Sequence, residues 1–274
     1  MDTEKIKVVA FDADDTLWDC QNHFERVMQR LYDELSPWVD RQTAACELFA
    51  TERKNMPSLG FGTKAFTLSM LETAMRVSRY EMSAGKISEI QQLCYSLLEF
   101  PCPPLPGVRE TLDGLRTAHP ALRLVCFTKG ELLEQEHKLE RSGLRHYFDY
   151  VEITSDKGER EFEALCRKLG IAPDEMLMVG NSLKSDMAPA LAVGCLAVYI
   201  PFHVTWELEH TEHFTHPRMV QIERFGQLLD LFIKGANGPL THSGNVTHSR
   251  RMPYSLFAGE RSKGGLWHIF VCSL

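Results

Sequence analysis

From about residue 104 to 235 the chain alternates short apolar runs with amphipathic stretches closed by glycine, a pattern that commits it to a parallel sheet covered by helices. Residues 122–127 read as a strand and 131–142 as a helix stopped by Gly143. Residues 150–153 are strand-like, and 159–169 are helical up to Gly170. A third apolar run, 176–179, precedes a helix over 185–193 and its Gly194, and a fourth, 196–200, stops at Pro201. Strand–helix–strand repetition of this kind crosses over with one hand and leaves every strand pointing the same way.

Near the N-terminus stands one more strand candidate, Val8-Val9-Ala10-Phe11, which runs into Asp12-Ala13-Asp14-Asp15-Thr16-Leu17-Trp18. Carboxylates are costly at the end of a buried strand unless a cation or a reaction needs them. A strand period would aim Asp12, Asp14 and Thr16 the same way, whereas a tight loop would turn Asp12 and Asp14 toward one point. Either geometry gathers oxygen ligands of the kind Mg²⁺ takes.

Residues 19–103 follow a different rule. They are helix-like throughout (20–35, 41–53, 66–77 and 86–98), and Pro101-Cys102-Pro103-Pro104-Leu105-Pro106 marks a rigid end. The expected organisation is a core of residues 1–18 and 104–235, interrupted by an all-helical insertion over 19–103. Residues 236–274, rich in Gly, Ser, His and Arg, read as a disordered or non-native tail.

A formal charge of −7 argues against a nucleic-acid or anionic-membrane binder. The eight cysteines are scattered without a Cys-x-x-Cys pair and sit mostly among apolar neighbours, as reduced thiols do. With a polar N-terminus and no apolar run near the roughly 20 residues of a membrane span, a cytoplasmic protein is expected.

The later strands also end in chemistry. The second runs into Thr128-Lys129-Gly130, a hydroxyl and backbone N–H groups ahead of a helix. Taken alone Thr128 reads as a helix N-cap; with a phosphate nearby it reads as an oxyanion cradle. Lys157 follows the third strand, either solvated or close enough to neutralise a carboxylate and a phosphate. After the next come Gly180, Asn181 and Asp186, oxygen ligands across a short loop, although Asp186 also suits a helix N-terminus. All four elements fall at the C-terminal ends of expected parallel strands, where open α/β sheets bind ligands.

In these four ordered motifs, over roughly residues 5–235, the chain resembles the haloacid dehalogenase superfamily of phosphoryl-transfer enzymes. The resemblance implies a modified Rossmann-like α/β core with the helical insertion as a cap. It further implies Asp12 as nucleophile forming an aspartyl-phosphate, Asp14 as general acid and base, Thr128 bonding the phosphoryl group and Lys157 neutralising charge. Mg²⁺ would be held by Asp12, the Asp14 carbonyl and Asp186. Two positions depart from the family pattern. Asn181 stands where Asp is common, which removes a charge from the metal site, and Asp15 stands where Gly is frequent.

Because Asp14 retains the carboxylate that dehalogenases of the superfamily lack, the resemblance points to a Mg²⁺-dependent phosphomonoester hydrolase acting on a small phosphorylated metabolite. A phosphomutase, or a protein of this fold that binds a phosphorylated ligand without turnover, are the alternatives. Thr16, Lys129, Gly130 and Lys64 are the candidate substrate contacts. Lys64 and Phe61 fall in the loop 60–64, which suits a core-facing loop that touches the leaving group or a simple interhelical turn equally well. Lys129 and Lys184 flank motifs and meet phosphate or only solvent. His203, His210, His213 and His216 form a loose cluster that reads as surface histidines rather than a zinc site. Trp206 and Phe214 read as packing residues, and the oligomeric state is open.

Overall fold

The computed structural model describes residues 3–209 and 211–234; the expected tail, Cys272 and His210 lie outside the described residues. Six strands form one sheet: β1 (Val8–Phe11), β2 (Arg123–Lys129), β3 (Tyr150–Thr154), β4 (Met176–Gly180), β5 (Leu196–Tyr199) and β6 (Met219–Gln221). They lie in the order β3-β2-β1-β4-β5-β6, and every neighbouring pair is parallel. The architecture is the α/β Rossmann-like one anticipated from the alternation. β1 is central and wholly buried, with Phe11 in register with Cys126 on one side and Val179 on the other.

Strand periodicity divides β1 between two cores. Val9 and Phe11 join a cluster with Leu112 and Leu115 of α5 (Val108–Ala118) and Leu228 of α9 (Gln227–Lys234). Val8 and Ala10 face the opposite cluster, which contains Phe162 and Leu165 of α7 (Glu159–Leu169) and Leu191 of α8 (Ala188–Ala192). Helices on both faces explain why β1 and β4 are apolar at every position rather than at alternate ones. The helix α6 (Leu132–Ser142) follows β2.

The chain leaves the sheet at Trp18 and returns at Pro104, and these two residues bridge each other. Between them run α1 (Gln21–Leu35), α2 (Arg41–Leu59), α3 (Thr63–Val77) and α4 (Ala84–Tyr95), packed around a separate apolar cluster that includes Leu31, Leu48 and Met70. α2 runs six residues past its expected end at Arg53, through Pro57. Its polar extension is tied to α3 by Lys54 and Asn55, which both bond Glu72, contacts that periodicity does not register.

The elements α5, β6 and α9 are not separately expected from the sequence. β6 is only three residues long, too short to carry a strand signal of its own, and exists by pairing with β5. None of the described cysteines is in a disulfide, and no helix among the described residues is long and apolar enough to cross a membrane.

Gly170 ends α7 at φ +65°, with nothing within 4 Å of the position a Cβ would take. Gly170→Ala therefore isolates the cost of left-handed backbone from any steric clash. It is expected to lower the unfolding free energy by about 1–2 kcal/mol, read from the urea midpoint at unchanged m.

Candidate active site

The strand order reverses beside β1, and the crevice this opens at the C-terminal ends of the strands gathers the strand-end residues: one cavity is lined by Asp12, Asp14, Thr128, Lys157, Asn181 and Asp186. Asp12 is the first residue after β1, and its N–H still bonds the Val179 carbonyl, so its backbone is fixed by the sheet. After it the chain turns instead of continuing as a strand: Leu17 N–H donates to Ala13 and Asp15 N–H to Trp18. The loop alternative is thus the observed one.

The turn explains Asp15. It sits at φ +61°, the conformation glycine usually supplies. Its carboxylate accepts from the backbone N–H groups of Cys20 and Gln21, at 2.8 and 2.9 Å, and so caps the start of α1. The capping bonds offset part of the strain that a non-glycine residue meets here.

Lys157 is the hub. Its ammonium, 1% exposed, donates to Asp12 Oδ1 at 2.7 Å and to Asp186 Oδ1 at 2.6 Å. The two buried carboxylates raise its pKa further above the ordinary lysine range than burial lowers it. Burial pushes the Asp12 carboxyl up to about 7, with Lys157 opposing and Asp186 reinforcing the rise. Thr16 donates to Asp12 Oδ2 at 3.2 Å, and is an orienting group for Asp12.

Asp186 does stand in the first turn of a helical element, but it is more than an N-terminal acid. It lies on a single π-type turn, Leu183–Met187, ahead of α8, and its Oδ2 accepts from the Ser182 N–H at 2.9 Å. Close approach to Gly180 makes this possible: a Cβ there would lie 2.2 Å from Asp186 Oδ2. One atom of the Asn181 amide stands 3.1 Å from Thr16 Oγ1, 3.3 Å from Asp12 Oδ2 and 3.2 Å from the Asp14 carbonyl. With its nitrogen there, the amide donates to these oxygens. Together the two carboxylates and the Asp14 carbonyl are oxygen donors of the kind a hard divalent cation takes, and the Asn181 oxygen joins them only with its amide turned over.

Asp14 belongs to a second network, for which residue spacing holds no marker. Its carboxylate accepts from Trp18 Nε1 at 2.8 Å, Lys138 Nζ at 2.9 Å and Gln135 Nε2 at 3.1 Å. Burial opposes its ionisation, but the Lys138 ammonium and these donors more than offset it and hold the carboxyl below its ordinary value. Gln135 Nε2 also donates to Thr128 Oγ1 at 2.8 Å, so one amide positions both groups. Lys138 is 3.3 Å from Glu134, whose carboxylate accepts from the N–H and hydroxyl of Thr63 at the start of α3, both at 2.8 Å. Spacing on α6 puts 134 and 138 on one face, but nothing local says that this face meets Asp14.

Among the substrate candidates, Lys129 lines the cavity, yet its ammonium is engaged by Glu209 Oε1 at 2.6 Å and Ser185 Oγ at 3.0 Å. Against its burial, Lys129 and the hydroxyls of Ser182 and Ser185 hold Glu209 below the usual carboxylate range. The Gly130 N–H is spent on the Thr154 carbonyl at 2.9 Å, so it does not serve as an oxyanion donor. Lys64 does not line the cavity: its side chain is 57% exposed and pairs with Glu131 at 3.2 Å, because the first turn of α3 directs it outward. Lys184, also exposed, donates to the Leu208 carbonyl. Phe61 does line the cavity and stands edge-on to Trp206, so Trp206 is a cavity residue as well as a packing one. His203 contacts Asn22, His213 contacts Gln221 and His216 caps Arg218; no metal-binding cluster of histidine, cysteine or carboxylate forms among the described residues.

Lys138→Met leaves the buried Glu134 and the half-buried Asp14 carboxylates without their cation. It is expected to cost about 3–5 kcal/mol in denaturant unfolding, and the double change with Glu134→Gln is expected to recover part of that loss.

Residues 6–194 match the sequence profile of a family described as haloacid dehalogenase-like hydrolase. The chain is 26% identical over 216 residues to a glyceraldehyde 3-phosphate phosphatase of Methanothermobacter thermautotrophicus, covering 76% of this chain and 91% of that protein. It is 28% identical over 214 residues to a phosphoglycolate phosphatase of Chromobacterium violaceum, covering 74% and 88%. Among solved structures, a haloacid dehalogenase-like family hydrolase from Xanthomonas campestris superposes with a TM-score of 0.76 at 29% identity, covering 86% of this chain and 94% of that one. With the profile spanning well over half its length and the four strand-end motifs gathered in one crevice, the chain belongs to the haloacid dehalogenase-like hydrolases.

Proposed function

We propose that the protein is a Mg²⁺-dependent phosphomonoester hydrolase that works through an aspartyl-phosphate, with residues 19–103 as a cap over the site. The observation that carries this reading is the convergence of the Asp12 and Asp14 carboxylates, the Thr128 hydroxyl and the Lys157 ammonium on one cavity. Retention of a carboxylate at position 14 favours an ester leaving group, which needs a proton, over a halide, which does not. The phosphatases among the relatives support the same class.

In this reading an Asp12 oxygen attacks phosphorus and the ester oxygen leaves, dividing one displacement into two. Lys157, shared between Asp12 and Asp186, lowers the negative charge that the incoming phosphate meets. Thr128 Oγ1 already accepts from Gln135, so its own hydrogen is left to donate to a phosphoryl oxygen. Asp14 is a carboxylate in the free protein. A phosphate dianion beside it raises its proton affinity, and the proton it then takes passes to the leaving oxygen. As a carboxylate again, Asp14 accepts a proton from the water that cleaves the acyl phosphate.

Mg²⁺ fits the oxygen donors described above, and would be held by Asp12, Asp186 and the Asp14 carbonyl, with the Asn181 oxygen added when its amide turns over. When bound it supplies positive charge to the phosphoryl oxygens.

Phosphate release from a panel of phosphorylated metabolites, with Mg²⁺ or EDTA, tests the reading. Release that needs Mg²⁺ and disappears in Asp12→Asn is expected; no release from any compound by the folded protein would favour a binding role, and an isomerised product would favour a mutase. Restoring the charge with Asn181→Asp is expected to lower the Mg²⁺ concentration for half-maximal rate by about tenfold, in keeping with one added carboxylate ligand. An unchanged Mg²⁺ requirement would remove Asn181 from the metal site.

A further inference from the structure

Away from the phosphate end, the cavity is walled by the helical segment and by the loop that carries Trp206. Phe24, Met28, Met56, Phe61, Phe66 and Trp206 make this wall largely apolar and aromatic. It contains no lysine, arginine or histidine. The cavity's cations are Lys129, Lys138 and Lys157, each already bonded to a carboxylate, and the Lys129 ammonium also lies over the Phe61 ring, 4.0 Å from its centroid. The one charged residue that helices α1–α3 contribute to the wall is Glu52.

The polar groups of this wall are spent in one direction. Gln21 Nε2 donates to Glu25 at 3.1 Å. The Asn55 amide nitrogen donates to Ser69 Oγ at 3.2 Å and to Glu72 Oε2 at 3.0 Å, and Ser69 in turn donates to the Ala65 carbonyl at 3.1 Å. Burial pushes the Glu52 carboxyl up to about 7, with the Trp206 indole opposing and Glu25 reinforcing the rise. Glu52 and the Asn55 carbonyl oxygen remain as acceptors for a bound molecule, with the Thr205 hydroxyl beside them. A second anion on the substrate would be stripped of water against these acceptors with no free cation to meet it. A hydroxyl, amine or aromatic N–H would find a partner, and an apolar or ring face would find the Phe, Met and Trp surfaces.

We propose that the substrate is a phosphomonoester whose leaving group carries no carboxylate, is neutral or cationic, donates hydrogen bonds and presents an apolar or aromatic face, and that Glu52 is the specificity-determining residue that enforces this. The inference rests on the phosphomonoester hydrolysis proposed above. It runs against phosphoglycolate, the substrate named for one relative, as a good substrate here.

Three phenyl phosphates, para-substituted with carboxylate, hydroxymethyl or aminomethyl, separate charge from size on one scaffold. Steady-state kinetics of the wild type should give the aminomethyl and hydroxymethyl esters kcat/KM at least about tenfold above the carboxylate ester, mainly through KM. Because all variants face the same leaving-group chemistry, changes in these ratios on mutation report recognition alone. Glu52→Gln should remove the preference for aminomethyl over hydroxymethyl, and Glu52→Lys should raise kcat/KM for the carboxylate ester by about tenfold. Turnover of the carboxylate ester within about twofold of the hydroxymethyl ester, or the same order of esters in Glu52→Lys, would overturn the assignment. If none of the three esters is hydrolysed while other phosphomonoesters are, the leaving-group class is wrong. If no phosphomonoester is hydrolysed at all, the phosphatase reading fails and takes this inference with it.

Discussion

One ammonium between two buried carboxylates is the constraint on which the site depends. Asp12 and Asp186 come from different strands' ends, and without Lys157 their like charges would sit buried and unpaired. Each of the three side chains is set by a distinct backbone device: the end of β1 for Asp12, the π turn pressed on Gly180 for Asp186, and the loop after β3 for Lys157. Parallel strands bring these devices to one edge, which is how positions 12, 157 and 186 meet. The arrangement still carries one more negative charge than positive, and so has electrostatic room for a divalent cation before an anionic substrate arrives.

Asp14 lies at the border of a separate system. Trp18, Gln135 and Lys138 fix its orientation, and Lys138 is shared with Glu134, which in turn holds the first residue of α3. A continuous line of hydrogen bonds and ion pairs therefore joins the helical segment to the one carboxylate proposed to move protons. Seating of Thr63 against Glu134 and the electrostatic setting of Asp14 are parts of the same structure.

What the sequence made legible was local. The alternation of β-like and helical stretches, closed by Gly143, Gly170 and Gly194, is a property of neighbouring residues, and it led to the right sheet. Asp12, Asp14, Thr128, Lys157 and Asp186 could be picked out because each stands at the end of such a run. Lys138, Glu134, Gln135 and Glu209 had no such marker. On the page Glu134 and Lys138 are an ordinary (i, i+4) pair on an amphipathic helix, the pattern of a solvated face, and only tertiary packing reveals them as 4% and 2% exposed. Glu209 lies in an irregular stretch whose partners, Ser182, Ser185 and Lys129, are distant in sequence. The misplacement of Lys64 has the same origin, since a loop's position can be read from glycine spacing while the direction of a side chain on the following turn cannot.

The bridge between Trp18 and Pro104, with the Leu105 N–H on the Leu17 carbonyl at 2.8 Å, puts the exit and re-entry points of the chain side by side. The sheet therefore sees the intervening helices as a splice between two adjoining positions, much as a domain sees an inserted loop. Such a joint lets the intervening segment be lengthened, shortened or exchanged in evolution without moving any strand. The reacting groups could then stay as they are while successive inserts offered them different molecules.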